Sequence, residues 1–322
     1  MIRSIFVFLF FSFTTLSASN QQIEKQFVEI MHLQPGSIEK ISSGLTNKNY
    51  LVSTERGNYF VRLGCPHAEV LYISRAREYL SYQKGVELGL APSLYCFDID
   101  NGFIIESFIE HANFYGKVLG SWTGDRGQVI CNIIHSMKQV HSFPAPASDE
   151  LPFYRRVLRH YFTVGQQIGA DFPQQILDAY AFSEQMSISS DSQTLCHHDW
   201  FWENLLFDGS RLWLVDWEYA DWDDPYFDLA GFCIEHGLTF DERTLAIVAY
   251  DPSYTHSQRL KLEQMCMLYA LKTAMWGFIQ KKMVPDLTFD ITVVARKHMA
   301  TFWEIAHALN GPLYRERSKN RE

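Results

Sequence analysis

The run LCHHDWFWENLLFDGSRLWLVDWEYADWDDPYFDLAG, residues 195–231, limits what this chain can become. It holds nine acidic residues, two histidines and five tryptophans among long apolar side chains. A carboxylate in apolar surroundings is tolerable only where a counter-charge, a metal ion or hydrogen bonds compensate it. The run must therefore fold around something that neutralises it. Its middle reads as a hairpin, because the apolar runs 205–207 and 211–215 flank Asp208-Gly209-Ser210, a strong turn signal. An antiparallel pair would bring Asn204, just before the first strand, and Asp216, just after the second, nearly face to face. An amide oxygen beside a carboxylate is a hard-oxygen pair suited to Mg²⁺, and Asp199 lies five residues before Asn204 on the approach to the same point.

Composition narrows the partners. The 322 residues are 47% hydrophobic and 20% charged, enough to bury one or two cores, and the net charge is -9. Lysine and arginine never run beyond a pair, which disfavours a nucleic-acid or anionic-membrane surface. The six cysteines, at 65, 96, 131, 196, 233 and 266, form no Cys-x-x-Cys pair and read as reduced, buried thiols. The N-terminus, MIRSIFVFLFFSFTTLSASN, is similar to a secretory signal peptide, with an apolar run too short to span a bilayer. A start codon further downstream and a short apolar segment packed on the domain are the competing readings. Export stays open on this basis, although the motifs below favour the cytoplasm.

Beyond residue 36 the chain divides in two. From 37 to 109 the pattern is short and alternating, in SIEKISSG, NYLVST, NYFVRL, SLYCFD and FIIESFI, with turn signals at Arg56-Gly57-Asn58 and Asn101-Gly102. These segments predict an antiparallel sheet. One helix interrupts it, from about Glu69 to Gly85, with Val70, Ile73, Ala76 and Leu80 on its apolar face. From residue 114 onward helical spacing dominates, with no repeat or long linker, so the boundary near Ile109 is expected to be a short hinge.

His197-x-Asp199-x-x-x-x-Asn204 followed by Asp216-Trp217-Glu218 resembles the catalytic loop and metal-binding motif of the kinase-like phosphotransferases. More narrowly, HHDWFWENLLF, VDWEYA and FDLAGF, with SSGLTNKNYLV, YFVRL and SRAREYLSYQKGVELGLAP upstream, resemble the choline/ethanolamine kinase family and its aminoglycoside and thiamine kinase relatives. The likeness covers nearly all of residues 37–307. It implies an α+β, two-lobed protein-kinase-like fold. Residues 20–109 would form an ATP-covering lobe of antiparallel sheet with one helix, and residues 110–322 a larger, mainly helical lobe.

The resemblance also implies roles. Asp199 would be the base, Asn204 and Asp216 the Mg²⁺ ligands, and Glu218 a ligand for a second ion. Ser43, Gly44, Thr46 and Asn47 would meet the ATP phosphates, Arg62 would grip two phosphate oxygens, and Glu78 would orient Arg62. Backbone groups from Glu106 to Phe108 would receive adenine. His197 and Asp228 would brace the loop, and His141 would pack. Read without the family, Asp199 also fits a helix cap, Asp216 a turn residue, Arg62 a surface strand residue and Glu78 a solvated helix charge.

The acceptor implied is a small cationic alcohol, choline or ethanolamine, held by Trp276, Phe240 and Glu235, since a quaternary ammonium is held by aromatic faces and a carboxylate. Thr273 stands where family members often carry a second tryptophan, which weakens choline itself, and the same aromatics fit a plain core. Thiamine, an aminoglycoside or a sugar are the alternatives of the same class. A nucleotide-binding pseudokinase is the alternative of another class, disfavoured because Asp199, Asn204 and Asp216 are all present. The sequence leaves oligomeric state open.

Overall fold

The computed structural model describes residues 18–41, 46–115, 125–147, 149–188, 193–285, 287 and 289–310. Residues 1–17, most of the signal-like segment expected at 1–19, and the phosphate-loop candidates Ser43 and Gly44 lie outside the described residues.

Five strands form one antiparallel sheet: β1 Ser37–Ile41, β2 Lys48–Thr54, β3 Gly57–Leu63, β4 Leu94–Phe97 and β5 Ile104–Ser107, in the order β1-β2-β3-β5-β4. The strand alternation sorts their side chains into two sets. Tyr50 and Val52 of β2, Tyr59 and Val61 of β3 and Ile105 of β5 enter a small core with Phe103. The alternate positions Asn49, Leu51, Phe60, Arg62, Ile104 and Glu106 line a cleft on the other face. The β2–β3 turn is tight because Gly57 adopts φ +124, a conformation open to glycine.

Two helices accompany this sheet where the spacing predicts one. α1, Ala18–Met31, places Ile23 and Phe27 one turn apart, both fully buried in the small core. α2 spans Arg75–Glu87, capped by Ser74, and starts one and a half turns later than the apolar pattern suggests. Its buried face is Arg75, Glu78, Ser81, Tyr82 and Gly85, while Leu80 is 62% exposed. The expected apolar face is thus wrong. The helix buries charge because it backs onto the cleft, where those charges pair.

The rest is mainly helical: α3 Arg126–Val140, α4 Phe153–Gln167, α5 Gln174–Gln185, α6 Pro225–Glu235, α7 Phe240–Tyr250, α8 His256–Met283 and α9 Thr292–Asn310. α8 is the axis, buried along most of its length and packed against α4, α5, α6 and α9. Two further short sheets are present. β6 Asn113–Phe114, β8 Leu205–Phe207 and β9 Leu212–Leu214 form one, and β7 Thr194–Cys196 with β10 Asp221–Asp223 the other. The hairpin expected at 205–215 is present. Asp208 fixes its turn by accepting from the Ser210 and Arg211 N–H groups and from Trp213 Nε1. All six cysteines are free thiols. Among the described residues, no helix is long and apolar enough to cross a membrane.

The two parts meet tightly at Gly85. A Cβ there would collide with the indole of Trp217, which is fully buried and donates Nε1–H to the Leu214 carbonyl at 2.9 Å. Gly85→Ala would normally favour a helix. Here it should lower stability by about 1–3 kcal/mol through overpacking. A urea denaturation midpoint that is unchanged or raised would contradict this packing.

Candidate active site

The site is assembled by the turn after β7 and by the open end of the β8–β9 hairpin. The Val215 N–H donates to the Asn204 carbonyl at 3.0 Å, which sets the residues before and after the hairpin side by side. Asn204 Nδ2 donates to the Asp199 carboxylate at 2.8 Å and to the Asp199 carbonyl at 3.0 Å. This orientation turns the amide oxygen of Asn204 away from Asp199. Asp216 holds a left-handed φ of +63, and its Oδ1 makes no hydrogen bond, the closest cation being Arg62 at 3.5 Å. An orphaned carboxylate oxygen beside an outward amide oxygen fits a divalent ion with oxygen ligands.

Buried Asp228, in the first turn of α6 after the cap Asp224, holds the loop in place. Its two oxygens accept the backbone N–H of His197 at 2.8 Å and of His198 at 2.7 Å, and one also meets His141 Nε2 at 3.1 Å. Burial opposes its charge, but His141 and His198 outweigh burial and hold this carboxyl well below the usual range. His141 therefore does more than pack. The left-handed φ of +64 at His198 is held by Nδ1 against the Tyr219 carbonyl, Nε2 against Asp223, and a stacked Phe153 ring. The His197 ring is fully buried, edge-on to Trp200 and Trp217. Burial lowers its pKa to about 4, so it is neutral at pH 7.

Above the loop, charges alternate across the junction between the sheet and the helices. Arg62 Nη1 lies 2.6 Å from Glu78, Arg75 Nη1 lies 2.7 Å from Glu78 and 3.3 Å from Glu218, and Asn47 Nδ2 donates to Glu218 at 2.7 Å. Asn47 in turn accepts the Cys65 N–H at 3.0 Å. Both Arg62 and Glu78 are almost wholly enclosed, so neither is a surface charge. Glu218 already has partners on one oxygen, which leaves its other oxygen for a ligand. Burial, then their mutual repulsion, raises the pKa of Asp216, and burial also raises that of Glu218 against Arg62 and Arg75. Burial pushes the Asp199 carboxyl up to about 7, against the pull of Lys272 and Asn204.

The cleft between these parts has a volume of about 980 Å³. It brings together Thr46, Asn47, Arg62, Glu78, Glu106, Phe108, Asp199, Asn204, Asp216, Glu218, Glu235 and Trp276 of the expected site residues. Phe240 is not among its lining residues. It starts α7, 36% exposed, with the Arg259 guanidinium 4.2 Å over its ring, because α6 ends at Glu235 and the turn through Gly237 carries the chain outward. At the hinge, the N–H groups of Ser107 and Phe108 already donate to the Ser93 and Asn58 carbonyls, so adenine would find neither of them open. The Glu106 side chain, pushed up to about 7 by burial, accepts from Tyr82 Oη at 2.6 Å.

The sequence reading missed Arg75 and Lys272. Arg75 precedes Glu78 by three residues and Lys272 precedes Trp276 by four, so helical spacing alone would have placed each on its partner's face.

The model of the phosphotransferase enzyme family matches residues 37–262, and the chain belongs to that family. Protein LicA of Haemophilus influenzae is 26% identical over 211 residues, 64% of this chain, and the alignment spans only 60% of LicA's own length. Among solved structures, the choline kinase LicA from Streptococcus pneumoniae is 20% identical with a TM-score of 0.70, covering 89% of this chain and 100% of that one. A spectinomycin phosphotransferase solved with ADP and spectinomycin is 13% identical with a TM-score of 0.58, over 89% and 98%. The α+β, kinase-like fold implied by the motifs is the fold this chain has.

Asp228→Asn should cost about 2–4 kcal/mol of stability at pH 7, since an amide cannot accept both loop N–H bonds and the His141 bond equally well. Asp228 has a depressed folded pKa, so its advantage exists above the unfolded value, about 3.9, and fades as pH falls below it. Denaturation midpoints of the two proteins should converge under acid. A constant gap down to the acid limit would contradict the assignment.

Proposed function

We propose that the protein transfers the γ-phosphate of ATP to the hydroxyl of a small alcohol. One observation carries this reading: Asp199, Asn204 and Asp216 converge at one end of the hairpin, directly beneath the Arg62–Glu78 pair. Phosphoryl transfer needs positioning and charge neutralisation more than covalent chemistry, and this arrangement provides both.

In this reading Asp199 accepts the hydrogen bond of the acceptor hydroxyl and then its proton, while the oxygen attacks the γ-phosphorus and ADP leaves. Asn204, donating to the Asp199 carboxylate, fixes its direction. The amide oxygen of Asn204 and the Asp216 carboxylate are the groups that would hold Mg²⁺, with the second oxygen of Glu218 in reserve. When bound, the ion neutralises phosphate charge. Arg62, braced by Glu78, meets a phosphate from above, and Thr46 and Asn47 border the same space.

Choline and ethanolamine are the acceptors brought forward by the LicA likeness, and Trp276 and Glu235 line the cleft where an acceptor would sit. Thiamine, aminoglycosides and sugars are the other candidates.

Asp199→Asn should abolish turnover, by about 10²-fold or more, while calorimetry shows Mg·ATP binding retained. Asp216→Asn should weaken Mg·ATP binding itself. Equal loss of nucleotide affinity in both variants would sink the division of roles.

The acid limb of kcat/KM should lie near pH 7, where Asp199 exchanges its proton in the free enzyme. Activity falls below that value because the protonated carboxyl cannot take the acceptor's proton. A flat profile through this range would count against Asp199 as base.

A further inference from the structure

The acceptor end of the cleft contains a cation that the proposed function does not use. Lys272, on α8 one turn before Trp276, is 7% exposed and lines the cleft. Its Nζ stands 4.4 Å from the centre of the Tyr269 ring and 5.6 Å from that of Tyr219. Trp276 closes the same corner, its Nε1 donating to Tyr219 Oη at 3.0 Å. Among the described residues no carboxylate forms an ion pair with Lys272. Glu235 is paired instead with His298 Nε2 at 3.4 Å, and Asp199 accepts from Asn204.

Burial lowers the pKa of Lys272 from the usual lysine value, against the fields of Asp199, Glu235 and Asp228, which favour its charge. An ammonium over two aromatic faces near two carboxylates is the environment that would otherwise receive a quaternary ammonium ligand. Here a side chain of the protein already occupies it. A cationic acceptor would meet Lys272 at close range in a desolvated corner, where like charges repel strongly. An anionic acceptor would meet Asp199 and Glu235. A neutral alcohol meets neither penalty, and can lay its hydrocarbon on Trp276.

We propose that Lys272 is a specificity-determining residue of the acceptor cleft: its ammonium fills the aromatic cation site, so the enzyme takes neutral, uncharged alcohols in preference to alcohols with a fixed positive charge. The proposal rests on the phosphotransferase reading and names the substrate class of that same site.

The test compares choline with 3,3-dimethylbutan-1-ol, which has the same shape with carbon in place of the charged nitrogen. Affinity is measured by calorimetry on enzyme loaded with Mg²⁺ and a non-hydrolysable ATP analogue, and kcat/KM with Mg·ATP. The wild type should favour the neutral alcohol by about tenfold or more in both readouts. Lys272→Met should reverse the order, and Lys272→Arg, which keeps the charge, should preserve the wild-type order. A merely structural lysine would change both alcohols alike. The proposal is overturned if the wild type favours choline, if Lys272→Met leaves the ratio unchanged, or if neither alcohol binds to either protein. Failure of Mg·ATP itself to bind the wild type would instead overturn the reading beneath it.

Discussion

The governing constraint is an excess of carboxylates in one cleft. Glu78, Glu106, Asp199, Glu203, Asp216, Glu218 and Glu235 line it, against Lys40, Arg62 and Lys272. In a partly desolvated space such a set repels itself, and burial raises the pKa of Glu106, Asp199, Asp216 and Glu218 accordingly. The protein compensates part of the charge internally. Arg62 and Arg75 share Glu78, and Arg75 reaches on to Glu218. What remains uncompensated is concentrated at Asp199 and Asp216, where a cation carried in with a nucleotide would complete the balance.

The fold serves this arrangement by fixing backbone where side chains alone would scatter. The hairpin sets Asn204 against Val215, Asp228 clamps the two N–H groups ahead of Asp199, and Trp217 locks against Gly85 of α2. The last contact matters because α2 carries both Arg75 and Glu78. The ion-pair chain and the β8–β9 hairpin are therefore held side by side, and the Leu214 N–H bond to the Leu90 carbonyl at 2.8 Å adds a second tie at the same junction. Breaking a buried ion pair here would leave an uncompensated charge, which is far costlier than the pair is stabilising.

Much of this was legible in the sequence. Strand alternation gave all five strands of the sheet, and turn residues gave the hairpin, since both depend on local chemistry. The pairing of Asn204 with Asp216 followed from hairpin geometry, while Asp199 was placed by its five-residue distance from Asn204 and by the motif. What failed were readings that assumed a helix buries its apolar face. α2 buries Arg75 and Glu78 and exposes Leu80, because pairing across the cleft outweighed hydrophobic patterning. α1 stayed hidden because its first residues overlap the signal-like segment, whose apolar run masks the one-turn spacing of Ile23 and Phe27. The resemblance put Phe240 in the acceptor wall, but the turn after α6 carries it outside the residues that line the cleft. Lys272 went unnoticed although its spacing from Trp276 puts both on one helix face, because what a lysine among apolar residues faces shows only once its neighbours in space are known.

The central claim is that Asn204 and Asp216 form one end of a metal–nucleotide site. Diffraction from crystals grown with Mn²⁺ and a non-hydrolysable ATP analogue, recorded at the manganese absorption edge, locates the ion directly. The account predicts an anomalous peak within roughly 2.0–2.3 Å of the Asn204 amide oxygen and the Asp216 carboxylate, with the nucleotide under the five-stranded sheet. A peak held by other residues, or a nucleotide bound outside the cleft, would contradict it.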